Sequence, residues 1–293
     1  MIPRVAVLLA GYNGHKHLHE QVFSLLNQKG VKVDIFIRVD GRSSLFMNMV
    51  IQLTSDYENI HCIKGDVVSS SGMNFYKLIL GLKDITYDYY ALCDQDDFWS
   101  ENKLSRACGC IKDSKSLAYS SACTAFYSNG KKKLHQFGSQ KKNDFYFQAA
   151  GPGCTYVLSK EGFLFLKNFL LENNKLLEVS AHDWLIYFVL RFSNKKWFLD
   201  NESHLMYRQH SLNVAGVNSG FFAKFRRLKL LFSGWYVDDL IKLHLFMRSK
   251  RVVPNFKNPL EVRRSVIYSF VTYIYYHLYL QIRISTTKKK YNL

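Results

Sequence analysis

Proline is scarce in this chain, at four in 293 residues, and neither a low-complexity tract nor a repeat period is present. Long linkers, solenoids and collagen-like segments are therefore excluded. Acidic residues are also few: 23 Asp/Glu stand against 40 Lys/Arg, a net charge of +17, which favours polyanions or anionic surfaces as partners. The six cysteines, at 62, 93, 108, 110, 123 and 154, contain no two CxxC units, which removes the usual zinc frameworks. Cys108-Gly109-Cys110 has no further ligands near it in sequence. Met1 leads almost directly into a strand-like run, so no secretory leader is expected, and the thiols are expected to be reduced in a cytoplasmic compartment.

Apolar residues, by contrast, are plentiful, at 48% with 15% aromatic, a composition that needs a packed core or a membrane. The length suits one large α/β domain or a domain with an appendage. Charge is unevenly spread. Residues 221–293 carry 15 Lys/Arg against 3 Asp/Glu, a net of +12, and residues 1–220 keep only +5.

Apolar runs at Val5–Leu9 and Val33–Val39 flank an amphipathic stretch containing Leu18, Val22, Leu25 and Leu26, which reads as β-α-β. A strand at Ile60–Ile63, a helix over Asn74–Leu82 and a strand at Tyr89–Cys93 follow. This alternation predicts a mostly parallel sheet with helices on both faces, whose ligands sit at the carboxyl ends of the strands. Residues 131–142, with five lysines, read as an exposed basic loop, and Asp183–Arg191 as a helix opened by an acidic first turn. Residues 221–251 read as a basic amphipathic helix. Residues 265–282 lack charge for 18 positions, but their five tyrosines suit a buried or interfacial helix better than a spanning one.

The strongest chemical signal is Asp94-Gln95-Asp96-Asp97, directly after a predicted strand. Three carboxylates in four residues repel one another and ask for a cation, and a divalent metal carried with a phosphate ligand is the natural one. An acidic helix start, with Asp97 or Ser100 capping a stretch from Glu101, explains the same residues equally well. Asp183 alone would read as a helix cap, and Tyr207-Arg208-Gln209-His210 as a polar loop after a strand at Trp197–Leu199.

Together these segments resemble the family 2 glycosyltransferases, specifically a rhamnosyltransferase-like branch of bacterial polysaccharide assembly. The resemblance runs from the opening Val5–Asn13 segment, with Gln21 and Gln28, through Arg38, Asp40, Gly41, Gly72 and Asn74-Phe75. It continues through Cys93–Trp99 with Lys103, Gly153-Cys154-Thr155, His182-Asp183-Trp184 and Tyr207–His210 with Asn213 and Gly216. It covers residues 3 to about 216. One position departs: Val39 precedes Asp40 where the family usually carries two acidic residues, which leaves the nucleotide base open.

The resemblance implies a GT-A fold, Rossmann-like, α/β, for a catalytic domain over 1–220, split into a nucleotide-binding half (1–100) and an acceptor half (101–220); beyond it, the charge and aromatic pattern reads as a helical basic C-terminal extension over 221–293. The resemblance also implies inverting transfer from a nucleotide diphosphate sugar, UDP- or dTDP-linked, with Mn²⁺ or Mg²⁺. Tyr12, Asp40, Asn74, Asp94 and Gln95 would contact the nucleotide sugar, Asp96 and His210 the metal, and Asp183 would be the general base. The acceptor would be a lipid-linked saccharide of O-antigen or capsule synthesis. The basic tail would hold the enzyme peripherally on the inner face of the bacterial cell membrane, an anionic surface. Two other readings fit less well. A sugar-phosphate nucleotidyltransferase would open on a basic glycine-rich loop, which Gly11–His15 is not. A nucleic-acid-binding protein would carry a recognition motif, and none is present, so no nucleic acid is expected.

Overall fold

The computed structural model describes residues 1–41, 43–68, 70–83, 86–209, 234–252 and 256–277. Four parallel strands form its first half: β1 (Arg4–Tyr12), β2 (Lys32–Asp40), β3 (Ile60–Ile63) and β4 (Tyr89–Asp94). Their connections are α1 (Leu18–Leu26), α2 (Ser44–Asp56) and α3 (Ser71–Gly81). The second half adds β5 (Phe98–Trp99), α4 (Lys103–Ser114), β6 (Ala118–Tyr127), β7 (Lys132–His135), β8 (Val157–Ser159), α5 (Lys160–Glu172), α6 (His182–Phe192) and β9 (Trp197–Gln209). The sheet runs β3-β2-β1-β4-β8-β6-β9-β5, with β7 beside β6. β8 lies antiparallel between β4 and β6, while β6 and β9 are parallel, so the expected parallel half is joined to a mixed one.

β1 shows why the sheet is covered on both faces. Val5, Val7 and Leu9 enter one hydrophobic core and Ala6 and Leu8 the other, because successive side chains of a strand point to opposite faces. The core on the Val5 face holds α1, α2 and α4 residues such as Leu25, Val50 and Leu104. The other holds α3, α5 and α6 residues such as Phe75, Leu166 and Leu185. In α6 every residue from Trp184 to Leu190 is buried.

Two sequence expectations need correction. Residues 132–135 of the basic loop are strand: β7 pairs with β6 from Cys123↔His135 to Phe126↔Lys132, extending an edge that would otherwise be unpaired. Tyr207–Gln209 also lie in strand, not in a loop, because β9 continues past its polar stretch at Asp200–Glu202. Register shifts against β6 between Ser121 and Thr124 absorb that stretch.

Within residues 221–293 the structure describes two α-helices, α7 (Trp235–Ser249) and α8 (Val266–Tyr275). α7 is no free-standing tail, since Val237, Leu240, Leu243 and Met247 join the core that contains α6, and Tyr236 stacks on Trp184 at 5.0 Å. α8 turns its polar residues inward, with Ser269 and Thr272 buried and Val266, Ile267, Phe270 and Ile274 exposed. Among the described residues no helix is long and apolar enough to cross a membrane. The amphipathic stretch at 221–233 and the end of the uncharged segment, 278–282, lie outside the described residues.

Candidate active site

The strand register brings the acidic positions to one edge. Tyr12 is opposite Asp40 across β1 and β2, and Ala10 is opposite Asp94 across β1 and β4. Strand order reverses at β1, with β2 and β3 on one side and β4 on the other, the kind of switch point where α/β sheets bind ligands.

Asp94, Asp97 and Cys154 present donor atoms that all lie within 4.8 Å of one another. Asp97 is fully buried. Its Oδ1 accepts the backbone N–H of Arg208 at 3.1 Å, and its Oδ2 has no nitrogen or oxygen partner among the described residues. Burial, aggravated by the Asp96 charge, pushes Asp94 up to about 7, and burial with the Asp94 charge pushes Asp97 up as well. A hard divalent cation relieves this repulsion, and carboxylate oxygens suit Mn²⁺ or Mg²⁺. The Cys154 thiol does not: it is soft, and burial beside two carboxylates raises its proton affinity further. The residues present therefore fit a divalent metal through the carboxylates of Asp94 and Asp97, with Asp96 beside them in sequence. His210, the other expected ligand, lies outside the described residues.

The helix-start explanation of these carboxylates fails. α4 begins only at Lys103, its N-cap Asn102 makes no side-chain cap, and the Leu104 N–H goes instead to Gln28 Oε1 at 3.0 Å. Arg208 braces the acidic turn, donating from Nε to the Asp96 carbonyl at 2.8 Å while its Nη2 pairs with Glu20 on α1. It is thus held in place from both sides. Lys103 is buried below the turn, its Nζ 3.3 Å from the Trp99 ring centroid, and burial pushes it down to about 8.

Of the expected nucleotide-sugar contacts, Tyr12 is 59% exposed at the strand edge and its ring is open to a ligand. Gln95 clasps the Tyr12 backbone, accepting its N–H at 2.7 Å and donating to its carbonyl at 2.9 Å. Asn74 is buried, accepting from Arg38 Nη1 at 2.7 Å and donating to the Gly11 carbonyl at 3.3 Å. Asp40 is 3% exposed and accepts the Val68 N–H at 2.8 Å. Gln95 and Asn74 therefore spend their amides on shaping the strand ends.

Asp183 is not a helix cap. Ala181 holds that position, and Asp183 sits inside the first turn of α6, accepting the Trp184 N–H at 2.7 Å. Burial pushes it up to about 6, and its charge helps to raise Asp94. His182 stacks on Phe75 with ring centroids 4.0 Å apart, and burial pushes it down to about 3, which keeps it neutral. Two glycines of the sequence pattern are explained here. A Cβ on Gly72 would meet the Ser180 carbonyl oxygen at 2.2 Å, and one on Gly153 would meet His182 Nε2 at 2.4 Å. The residue missed from sequence is Asp239 of α7, 1% exposed and hydrogen-bonded to Ser180 and Ala181. Its signal was a carboxylate on the helix face that also carries Tyr236, Leu240 and Leu243.

No family model matches the chain. The chain is 36% identical over 239 residues to the dTDP-rhamnosyl transferase RfbG of Shigella flexneri, covering 80% of this chain and 83% of the relative. Among solved structures, S. aureus TarS 1–349 in complex with UDP-GlcNAc superposes with a TM-score of 0.54 at 13% identity, over 93% of this chain and 81% of that one. The mannosyltransferase PcManGT from Pyrobaculum calidifontis, in complex with GDP-Man and Mn²⁺, gives 0.54 at 13% identity, over 98% and 73%. These structures share the GT-A fold. With a curated relative of this identity matched along most of both chains, the protein belongs to the family 2 glycosyltransferases, in their rhamnosyltransferase-like branch.

Proposed function

We propose that the chain transfers rhamnose from dTDP-rhamnose, with inversion, to a lipid-linked saccharide in the synthesis of a surface polysaccharide. The observation that carries this reading is the buried carboxylate pair Asp94 and Asp97 at the strand ends, where the charge of Asp183 is also felt. The name of the Shigella relative supports the donor. Bound Mn²⁺ or Mg²⁺ would supply charge neutralisation for the departing diphosphate. Asp96, with Asp97, Asp94 and His210, would hold that ion, and the second oxygen of Asp94 would face the ribose or the sugar. The exposed Tyr12 ring would pack on the nucleotide, and Asp40 would face its base. Gln95 and Asn74 would act one step back, by fixing the backbone at Tyr12 and Gly11.

Asp183 would take the acceptor hydroxyl proton from the face of the sugar opposite the diphosphate, which gives inversion. A proton affinity near 6 leaves it ionised at neutral pH yet more basic than an exposed carboxylate. The decisive experiment is a screen of dTDP-, UDP- and GDP-sugars, reading release of the nucleoside diphosphate with Mn²⁺ or with chelator. The expected result is strongest release from dTDP-rhamnose, abolished by chelator. Preference for a UDP- or GDP-sugar, or full turnover in chelator, rejects the donor or the metal respectively.

The membrane surface is proposed to be met by α8, whose exposed Val266, Ile267, Phe270 and Ile274 lie within the segment carrying +12 of charge. Apolar side chains flanked by cations are the pattern that binds anionic bilayer interfaces. Such docking would place the cleft where lipid-linked acceptors are found.

A further inference from the structure

We propose that Asp239 is a positioning residue for the general base: reaching across from α7, it clamps the turn that opens α6 and so fixes where Asp183 stands. The inference rests on reading Asp183 as that base.

The clamp is dense. Asp239 Oδ1 and Oδ2 each accept the Ser180 N–H at 3.0 Å, and Oδ2 also accepts the Ser180 hydroxyl at 2.6 Å and the Ala181 N–H at 3.1 Å. Ala181 is the N-cap of α6 and has no side-chain oxygen to offer, so the start of this helix lacks the usual Ser, Thr or Asp. A carboxylate from another helix stands at this end instead, where the α6 dipole favours negative charge. Lys242, one turn along α7, pairs with Asp239 at 3.3 Å. On its other side the same turn is pressed against α3, where only a glycine at position 72 leaves room for the Ser180 carbonyl. The turn is therefore held from both sides, and Asp183 follows Ala181 by two residues.

A role confined to stability would need no effect on the base itself. The charges around Asp183 argue for one. Asp239 on α7 and Asp94 on β4 are the carboxylates whose charge it shares, Tyr76 on α3 and the Tyr156 phenol feel its charge, and the adjacent His182 is neutral. Losing the Asp239 charge removes one of the influences that raise the Asp183 proton affinity, and it also frees the turn.

The test uses the full chain and Mn²⁺-dependent release of dTDP from dTDP-rhamnose, with D239N, S180A and D183N. For D239N the expected result is an unchanged KM for the donor, a kcat lowered about tenfold to a hundredfold, and a rising limb of the kcat–pH profile displaced to lower pH. S180A, which loses one of the four bonds, should shift kcat in the same direction by less. A folded D239N that keeps the parent kcat and the parent pH limb overturns the proposal. Should D239N not fold, S180A with parent kcat overturns it. Loss of turnover in D183N beside unaffected D239N and S180A rejects Asp239 alone, whereas a D183N that turns over normally rejects the base reading beneath it.

Discussion

At the scale of single residues, the site depends on carboxylates that burial makes reluctant to ionise. Burial pushes Asp183 up to about 6, so as the proposed base it would be protonated and idle below that pH and ionised above it. Activity should therefore rise with pH through about 6 and then level off. Asp183→Asn should lower kcat by about 10²- to 10⁴-fold with donor binding retained, measured by steady-state release of dTDP and by titration with dTDP. A variant with near-normal turnover removes Asp183 from the base position. In the sequence these residues stand out only through the joint pattern of the resemblance, since Asp183 alone reads as a helix cap and Asp94–Asp97 alone fit a helix start equally well. What sequence could not separate was contact from support. Gln95 and Asn74 match the pattern as well as Asp94 does, and only the fold reveals that their amides are taken up by the backbone of Tyr12 and Gly11.

At the scale of elements, the alternating strands and helices of residues 4–94 were readable because each strand is an unbroken apolar run ending in a polar turn. β9 was truncated on paper at Leu199, since Asp200-Asn201-Glu202 breaks the apolar pattern. In the fold, Asp200 is held there by Arg106 at 3.0 Å and by the Tyr119 hydroxyl at 2.9 Å. Long-range partners of this kind leave no trace in local periodicity. The contact of α3 with the turn before α6 is equally non-local, and it yields a sharp expectation. Gly72→Ala forces a methyl into the Ser180 carbonyl, so the turn must shift. We expect a loss of about 1–3 kcal/mol in urea unfolding together with at least tenfold lower turnover. A variant with parent activity would mean that the turn tolerates displacement.

At the scale of the whole molecule, the basic C-terminal region divides by packing, with α7 in the core and the apolar face of α8 exposed. α7 contributes Val237, Leu240 and Leu243 to the main core, so removing everything after Gly220 would unfold the site rather than report on membrane binding. Point changes on the outward face of α8 are the cleaner probe. Ile267→Glu with Phe270→Glu should weaken sedimentation with vesicles containing anionic lipid while leaving dTDP release intact. Equal sedimentation of the double variant assigns the +12 charge another purpose. The sequence reads the region as one appendage, because the inward-facing side of α7 looks like any amphipathic helix until its partner is known.

The clamp from α7 also orders events during synthesis. Every motif of the cleft, up to Gln209, emerges from the ribosome before Asp239 does, so a nascent chain holds all its reactive carboxylates while the turn at Ser180 is still unheld. If Asp239 positions the base as proposed, the site is completed only when α7 docks. On the proposed role of Asp239, a product interrupted between Gly216 and α7 would carry the whole sequence pattern without the carboxylate that holds the turn before Asp183.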